Sequence, residues 1–187
     1  MPAPQNALEQ ADVAAGLKLA RFRDHPAVQA VAKAGELSDQ EPLYALSGAV
    51  LAIGVVTKDA RLGSAGARML VAALLASALK SLVKRSVTRT RPHVVMDEHR
   101  YASSPGGSEE KPEQSFPSGH AAGAAAVARA LTRVYPQTGA AVLGVAALVG
   151  ASRVMKGAHY PGDVLAGALV GLVAEAVVDQ AARRFNA

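Results

Sequence analysis

The chain has no cysteine and no tryptophan, and aromatic residues fill only 4% of its 187 positions. Without cysteine there is neither a disulfide framework nor a thiolate metal site. The basic residues do not alternate with aromatics and no nucleic-acid motif is present, so the net charge of +5 suggests an anionic partner other than nucleic acid. The first 20 residues lack the pattern of a secretory signal, because Glu9 and Asp12 stand where an apolar stretch is needed. Apolar residues are abundant: they make up 50% of the chain, much of it alanine and valine. The length suits one substantial domain, and no internal repeat divides it. The mean hydropathy, +0.17, is low for a mostly embedded protein, and a polar N-terminal arm and a polar central loop account for part of that.

Residues 5–34 read as a polar, amphipathic helical arm. Its charges (Glu9, Asp12, Lys18, Arg21, Arg23, Asp24) argue against a spanning helix, and Pro26 kinks or divides it. Five apolar runs follow, at 43–57, 62–83, 121–134, 139–151 and 164–179. A bilayer core needs about 20 apolar residues per helix. The second run meets this in spite of Arg68, and the others need flanking residues to complete a span. The fold expected is all-α: a helical bundle of about five transmembrane helices plus the arm. It forms a single domain, 1–187, with an arm at 1–42 and a membrane-embedded core at 43–180. Gly167 and Gly171 stand at small-xxx-small spacing, which reads as close helix packing. Residues 92–118, rich in proline, glycine, serine and charge, read as one long loop.

Three polar clusters interrupt the apolar pattern. The first, KRSVTRTRP at 84–92, is either a membrane-flanking basic cluster or a phosphate-binding pair, Lys84 and Arg91. The second, Pro117-Ser118-Gly119-His120, opens an apolar run. Ser118 can cap the helix, Gly119 admits a ligand close to the backbone, and His120 falls in the first turn, beside an anion held by the helix amides. The third, SRVMKGAHYPGD at 152–163, holds Arg153, a possible nucleophile or base in His159, and Asp163. Asp163 either caps the last helix or orients one ring nitrogen of His159. If the last four runs alternate up and down, all three clusters meet at one end of the bundle.

Together the clusters resemble the type 2 phosphatidic acid phosphatase family, the lipid phosphate phosphatase and vanadium haloperoxidase superfamily. Its three-part signature reads here as Lys84-x6-Arg91-Pro92, Pro117-Ser118-Gly119-His120, and Ser152-Arg153-x5-His159-x3-Asp163, with 24 and then 31 residues between the parts. The resemblance implies a metal-independent, cofactor-free phosphatase acting on a lipid phosphate, either a phosphomonoester or a diphosphate. In it His159 is the nucleophile and forms a phosphohistidine, Asp163 orients His159, and His120 is the general acid and base. Lys84, Arg91, Ser118, Gly119 and Arg153 bind the phosphoryl group. Candidate substrates are phosphatidate, phosphatidylglycerol phosphate and polyprenyl phosphates or diphosphates. The uninterrupted apolar runs favour the integral membrane branch, in a prokaryotic cytoplasmic membrane. Vanadium-dependent haloperoxidases and soluble acid phosphatases share the same pocket residues. A non-catalytic lipid-phosphate-binding membrane protein is a further alternative, although binding alone needs no nucleophile with an orienting carboxylate.

Overall fold

A computed structural model describes residues 6–185; positions 1–5 and 186–187, the outer ends of the expected single domain, lie outside the described residues. The arm is two helices, divided where Pro26 predicts. Helix α1 is Ala7–Ala20, capped by the Asn6 side chain, and α2 is Pro26–Ala34, with Pro26 in its first turn. Proline suits that place because its missing N–H would have no helical partner there. A 3-10 turn, Gly35–Ser38, then leads into α3, Gln40–Val56, which Asp39 caps.

The five apolar runs are five helices: α3, α4 (Ala60–Lys84), α6 (Gly119–Val134), α7 (Gly139–Met155) and α8 (Pro161–Phe185). Three stretches, Ala60–Lys84, Pro136–Met155 and Pro161–Arg184, are long and apolar enough to cross a membrane, and Gln40–Val56 is apolar but shorter. Large apolar side chains such as Val145, Leu165 and Leu169 face outward and are more than half exposed. An exposed apolar surface of that kind suits lipid rather than water. The chain is a predominantly helical integral membrane protein.

The core is built from small residues. Met69, Ala72, Ala73 and Ala76 of α4 meet Ala126, Val127 and Ala130 of α6, Ala174 of α8 and Leu43 of α3. Gly167 and Gly171 set the approach of α8 to α6: a Cβ on either would run into a backbone carbonyl oxygen, that of Ser118 or of Ala122. At the opposite end from the polar clusters, charges fasten the same helices together. Arg133 reaches Glu175 at 3.1 Å and Asp179 at 3.4 Å, and Arg68 reaches Asp179 at 2.9 Å.

The segment expected as one long loop is partly regular. It holds helix α5 (Pro92–Glu98), strand β2 (Ser103–Pro105) and a 3-10 turn, Lys111–Glu113, and β2 pairs antiparallel with β1 (Val87–Arg89). The reason lies in backbone hydrogen bonding. The buried Thr90 N–H donates to Ala102 O at 2.9 Å, Arg91 N–H to Pro112 O at 2.9 Å, and Ser115 N–H to Arg89 O at 2.9 Å. Buried amides need such partners, and a loose loop would not supply them. The ribbon thus carries Arg89 and Arg91 inward and brings Gln114 and Ser115 beneath them.

Candidate active site

Four helix ends meet on one side of the bundle: the C-termini of α4 and α7, and the N-termini of α6 and α8. Lys84 and Arg153 lie in last turns and Asp163 in a first turn, so each charge complements its helix dipole. The ends are joined directly. Ser118 N–H donates to the backbone oxygen of Asp163 at 3.0 Å, and the Ser118 hydroxyl caps α6 by accepting from Ala121 N–H.

His159 sits in the turn between α7 and α8. Gly157, at φ +74°, reverses the chain there in the left-handed conformation that a side chain rarely adopts. The imidazole is buried, and its Nδ1 lies 2.7 Å from the carbonyl oxygen of Ser115. A carbonyl only accepts, so Nδ1 carries the hydrogen and Nε2 keeps its lone pair. Burial holds the ring well below its ordinary pKa. The charges of Arg91 and Lys84 act in the same direction, against the Ser115 hydrogen bond. A neutral ring with a free Nε2 and cations nearby is suited to attack an electrophile.

The resemblance gives Asp163 the role of orienting His159, and the structure shows the contact between them to be indirect. The Asp163 Oδ2 lies 3.9 Å from Nδ1, too far for a hydrogen bond. The carboxylate is fully buried and takes three other donors: Arg89 Nη1 at 2.6 Å, the Ser115 hydroxyl at 2.6 Å and Tyr160 N–H at 2.8 Å. Asp163 therefore meets His159 through Ser115, whose hydroxyl it holds and whose carbonyl holds the ring. Arg89 is itself fixed by Asp12 of α1, at 2.8 Å, and by the face of Tyr160, 4.2 Å from its guanidinium carbon.

The cations are placed unequally. Lys84 Nζ donates to Gln114 O at 3.0 Å, and an ammonium has two further hydrogens to offer. Arg91 donates to the same Gln114 oxygen at 3.3 Å and to Lys111 O at 2.9 Å. Beside Lys84, between the end of α4 and the following loop, lies an open cleft of about 610 Å³ that includes Arg85, Ser108 and Gln114. Arg153 is turned toward the arm: its Nη1 donates to Glu36 at 2.8 Å and its Nη2 to Ala32 O at 2.7 Å, and its buried Nε has no partner among the described residues. His120 Nε2 lies 3.4 Å from the other oxygen of Glu36. Gly119 adjoins Lys80, whose buried side chain fills the space where a Cβ would go.

Glu36, Asp39 and His120 bring ligand-type atoms within 4.8 Å of one another, as a cation site would. Arg153 and Lys156 already neutralise Glu36, at 2.8 and 3.3 Å, which opposes a dication there.

Residues that the sequence did not single out complete the site: Arg89, Ser115, Glu36, Lys80, Lys156 and Asp12. For Arg89 a signal existed, since it lies two positions before Arg91 in an extended segment and so shares its face. Ser115 acts partly through its backbone carbonyl, which no side-chain pattern encodes.

Known proteins resemble this chain in sequence and in fold. A lipid A 1-phosphatase of Rhizobium etli is 35% identical over 106 residues, and one of Rhizobium johnstonii is equally similar. The match takes in 57% of this chain but only 45% and 43% of those proteins. Among solved structures, Aquifex aeolicus LpxE superposes over 96% of this chain and 99% of its own with a TM-score of 0.62, at 19% identity, which speaks to the fold alone. A transmembrane PAP2 type phosphatidylglycerolphosphate phosphatase from Bacillus subtilis superposes over 96% of this chain and 88% of its own, with a TM-score of 0.65 and 25% identity. Residues 65–186 match the PAP2 superfamily as a family, so the stretch from the core of α4 through all three motif clusters carries the assignment, and the chain belongs to the PAP2 superfamily.

Proposed function

We propose that this protein hydrolyses a phosphomonoester or diphosphate on a membrane lipid, through a phosphohistidine at His159 and without a metal. The observation that carries the reading is the buried, neutral His159, its Nδ1–H donated to Ser115 O at 2.7 Å and its Nε2 free. In the first step the Nε2 lone pair forms a bond to phosphorus as the bond to the lipid oxygen breaks. His120 donates a proton to that oxygen, and the lipid alcohol leaves, or the lipid monophosphate when the substrate is a diphosphate. In the second step His120 takes a proton from water. The hydroxide forms a bond to phosphorus, the P–Nε2 bond breaks, and inorganic phosphate departs. Lys84 and Arg91 offset charge on the phosphoryl oxygens, and the N-terminus of α6, capped by Ser118, adds its amides. Asp163 acts as a positioning residue through Ser115.

A lipid substrate is supported by an apolar groove of about 420 Å³ lined by Leu37, Leu43, Leu46, Val127, Leu131 and Val145, between α3, α6 and α7. It reaches Ala34 and Ser38 of the arm, on either side of Glu36. A headgroup at the polar end and a chain in this groove fit one molecule. The relatives act, by name, on lipid A and phosphatidylglycerol phosphate, and phosphatidate and polyprenyl phosphates or diphosphates have the same two-part shape. The setting proposed is a prokaryotic cytoplasmic membrane.

The test is a panel of these lipid phosphates and diphosphates in detergent with a chelator present. Phosphate release from at least one of them, abolished in His159→Ala, is expected. No release from any lipid phosphate would refute the reading.

A further inference from the structure

The carboxylate of Glu36 is held as a phosphoryl group would be held. One oxygen takes Arg153 Nη1 at 2.8 Å and Lys156 Nζ at 3.3 Å, and the other lies 3.4 Å from His120 Nε2. These three donors come from the end of α7, the turn after it and the first turn of α6. The N-terminus of α6 adds a favourable dipole. Burial alone would push the Glu36 carboxyl up, but Arg153, Lys156 and His120 together bring it down to about 2. Arg153 and Lys156 thus favour a negative charge in this place. Glu36 is also 49% exposed and lies in a one-turn 3-10 segment, so it can be displaced.

We infer that the arm's own Glu36 occupies, in the free protein, the phosphoryl place that the signature gives to Arg153 and His120, with Lys156 as a further donor, and that a phosphoryl group displaces it. The inference rests on the phosphatase reading for its biological ligand, though not for its test. Two of the three groups, Arg153 and His120, belong to the signature. Buried Arg153 needs an anionic partner, and the arm supplies one when substrate is away. Lys156 lies outside the signature and strengthens the subsite. Asp39, on the adjoining α3 cap, carries negative charge near His120, and Lys80 carries positive charge beside Gly119. Neither touches Glu36 in a way that would replace Arg153. The arm thereby sets how strongly a headgroup must bind in order to enter, which favours substrates of high charge such as diphosphates.

The experiment measures binding of inorganic phosphate by calorimetry in detergent with chelator, beside steady-state kinetics on a lipid phosphate. The proteins are wild type, Glu36→Gln and Glu36→Gln/Lys156→Gln. Removing the competing charge is expected to tighten phosphate binding and to lower KM by about threefold to tenfold, with kcat not reduced. Adding Lys156→Gln should reverse most of that gain. Phosphate binding by Glu36→Gln that is no tighter than wild type would overturn the inference. So would a fall in kcat at constant KM, since Glu36 would then be orienting His120. The calorimetry reads the subsite even in a protein that releases no phosphate, so failure of the phosphatase reading is seen separately in the lipid assay. Circular dichroism and melting in detergent check that each variant folds.

Discussion

Replacing Arg89 with methionine tests the support beneath His159, the nucleophile proposed above. The substitution keeps an unbranched apolar stem and removes the charge. In the structure Arg89 gives Nη1 to Asp163 at 2.6 Å and Nη2 to Asp12 at 2.8 Å, and its plane covers Tyr160. Asp163 is fully buried, so its remaining donors are the Ser115 hydroxyl and Tyr160 N–H. Two unit charges about 4 Å apart at an effective dielectric of about 20 interact by about 4 kcal/mol. Breaking a buried pair from one side costs about 3–5 kcal/mol for the same reason, because a charge is left uncompensated. Arg89→Met should therefore lose about 3–5 kcal/mol of unfolding free energy. Arg89→Met/Asp163→Asn should recover part of it, since the second change removes the stranded charge. Turnover should fall about a hundredfold in Arg89→Met, as Ser115 and the ring it holds shift by a fraction of an ångström. Denaturant unfolding in micelles and phosphate release are the two readouts. A variant that unfolds with wild-type stability and turns over at the wild-type rate would refute the reasoning, and so would a double variant less stable than Arg89→Met by the full cost of a second independent loss.

Other expectations are more direct. His159→Ala should fold normally and lose at least about a thousandfold in kcat, as removal of a nucleophile does in other covalent enzymes, measured by phosphate release. The rate should be bell-shaped in pH. Burial, with Arg91 and Lys84, disfavours the protonated His159 ring, so its neutral form persists below the ordinary histidine value and the acid limb should lie below about pH 6.5. The alkaline limb follows loss of the His120 proton, and a rate flat between about pH 4 and pH 9 would contradict both assignments. Gly171→Val should disrupt the α6–α8 contact, because its side chain meets the Ala122 carbonyl, and should lower stability by about 1–3 kcal/mol or more in unfolding measurements. Glu175→Ala leaves Arg133 without its 3.1 Å partner and should destabilise the far end while sparing the shape of the pH profile.

Much of the architecture was legible in the chain. An apolar run bounded by charge or proline has few ways to satisfy its backbone in lipid, so 43–57, 62–83, 121–134, 139–151 and 164–179 all became helices. Pro26 and the cap at Ser118 act within one turn of chain, which is why they could be read locally. The motif residues were legible because phosphoryl chemistry restricts residue types: cations, a histidine able to stay neutral, a second histidine and a carboxylate. The segment 92–118 was not legible. Its order comes from β1–β2 pairing and from amides that find carbonyls across the ribbon, and neither depends on a side-chain pattern.

The sequence by itself determined the helices and which residues are candidates for the chemistry, since hydrophobic run length and the needs of a phosphoryl group both act on residue identity. The tertiary structure decided who holds whom. His159 rests on the Ser115 carbonyl, Asp163 on Arg89, and Arg153 on Glu36, partners between 44 and 117 positions apart. Such pairings follow from where buried charges and buried ring hydrogens find a partner once the helices have packed. They could not be read along the chain, because a carbonyl accepts equally well from any residue and an ion pair needs only proximity.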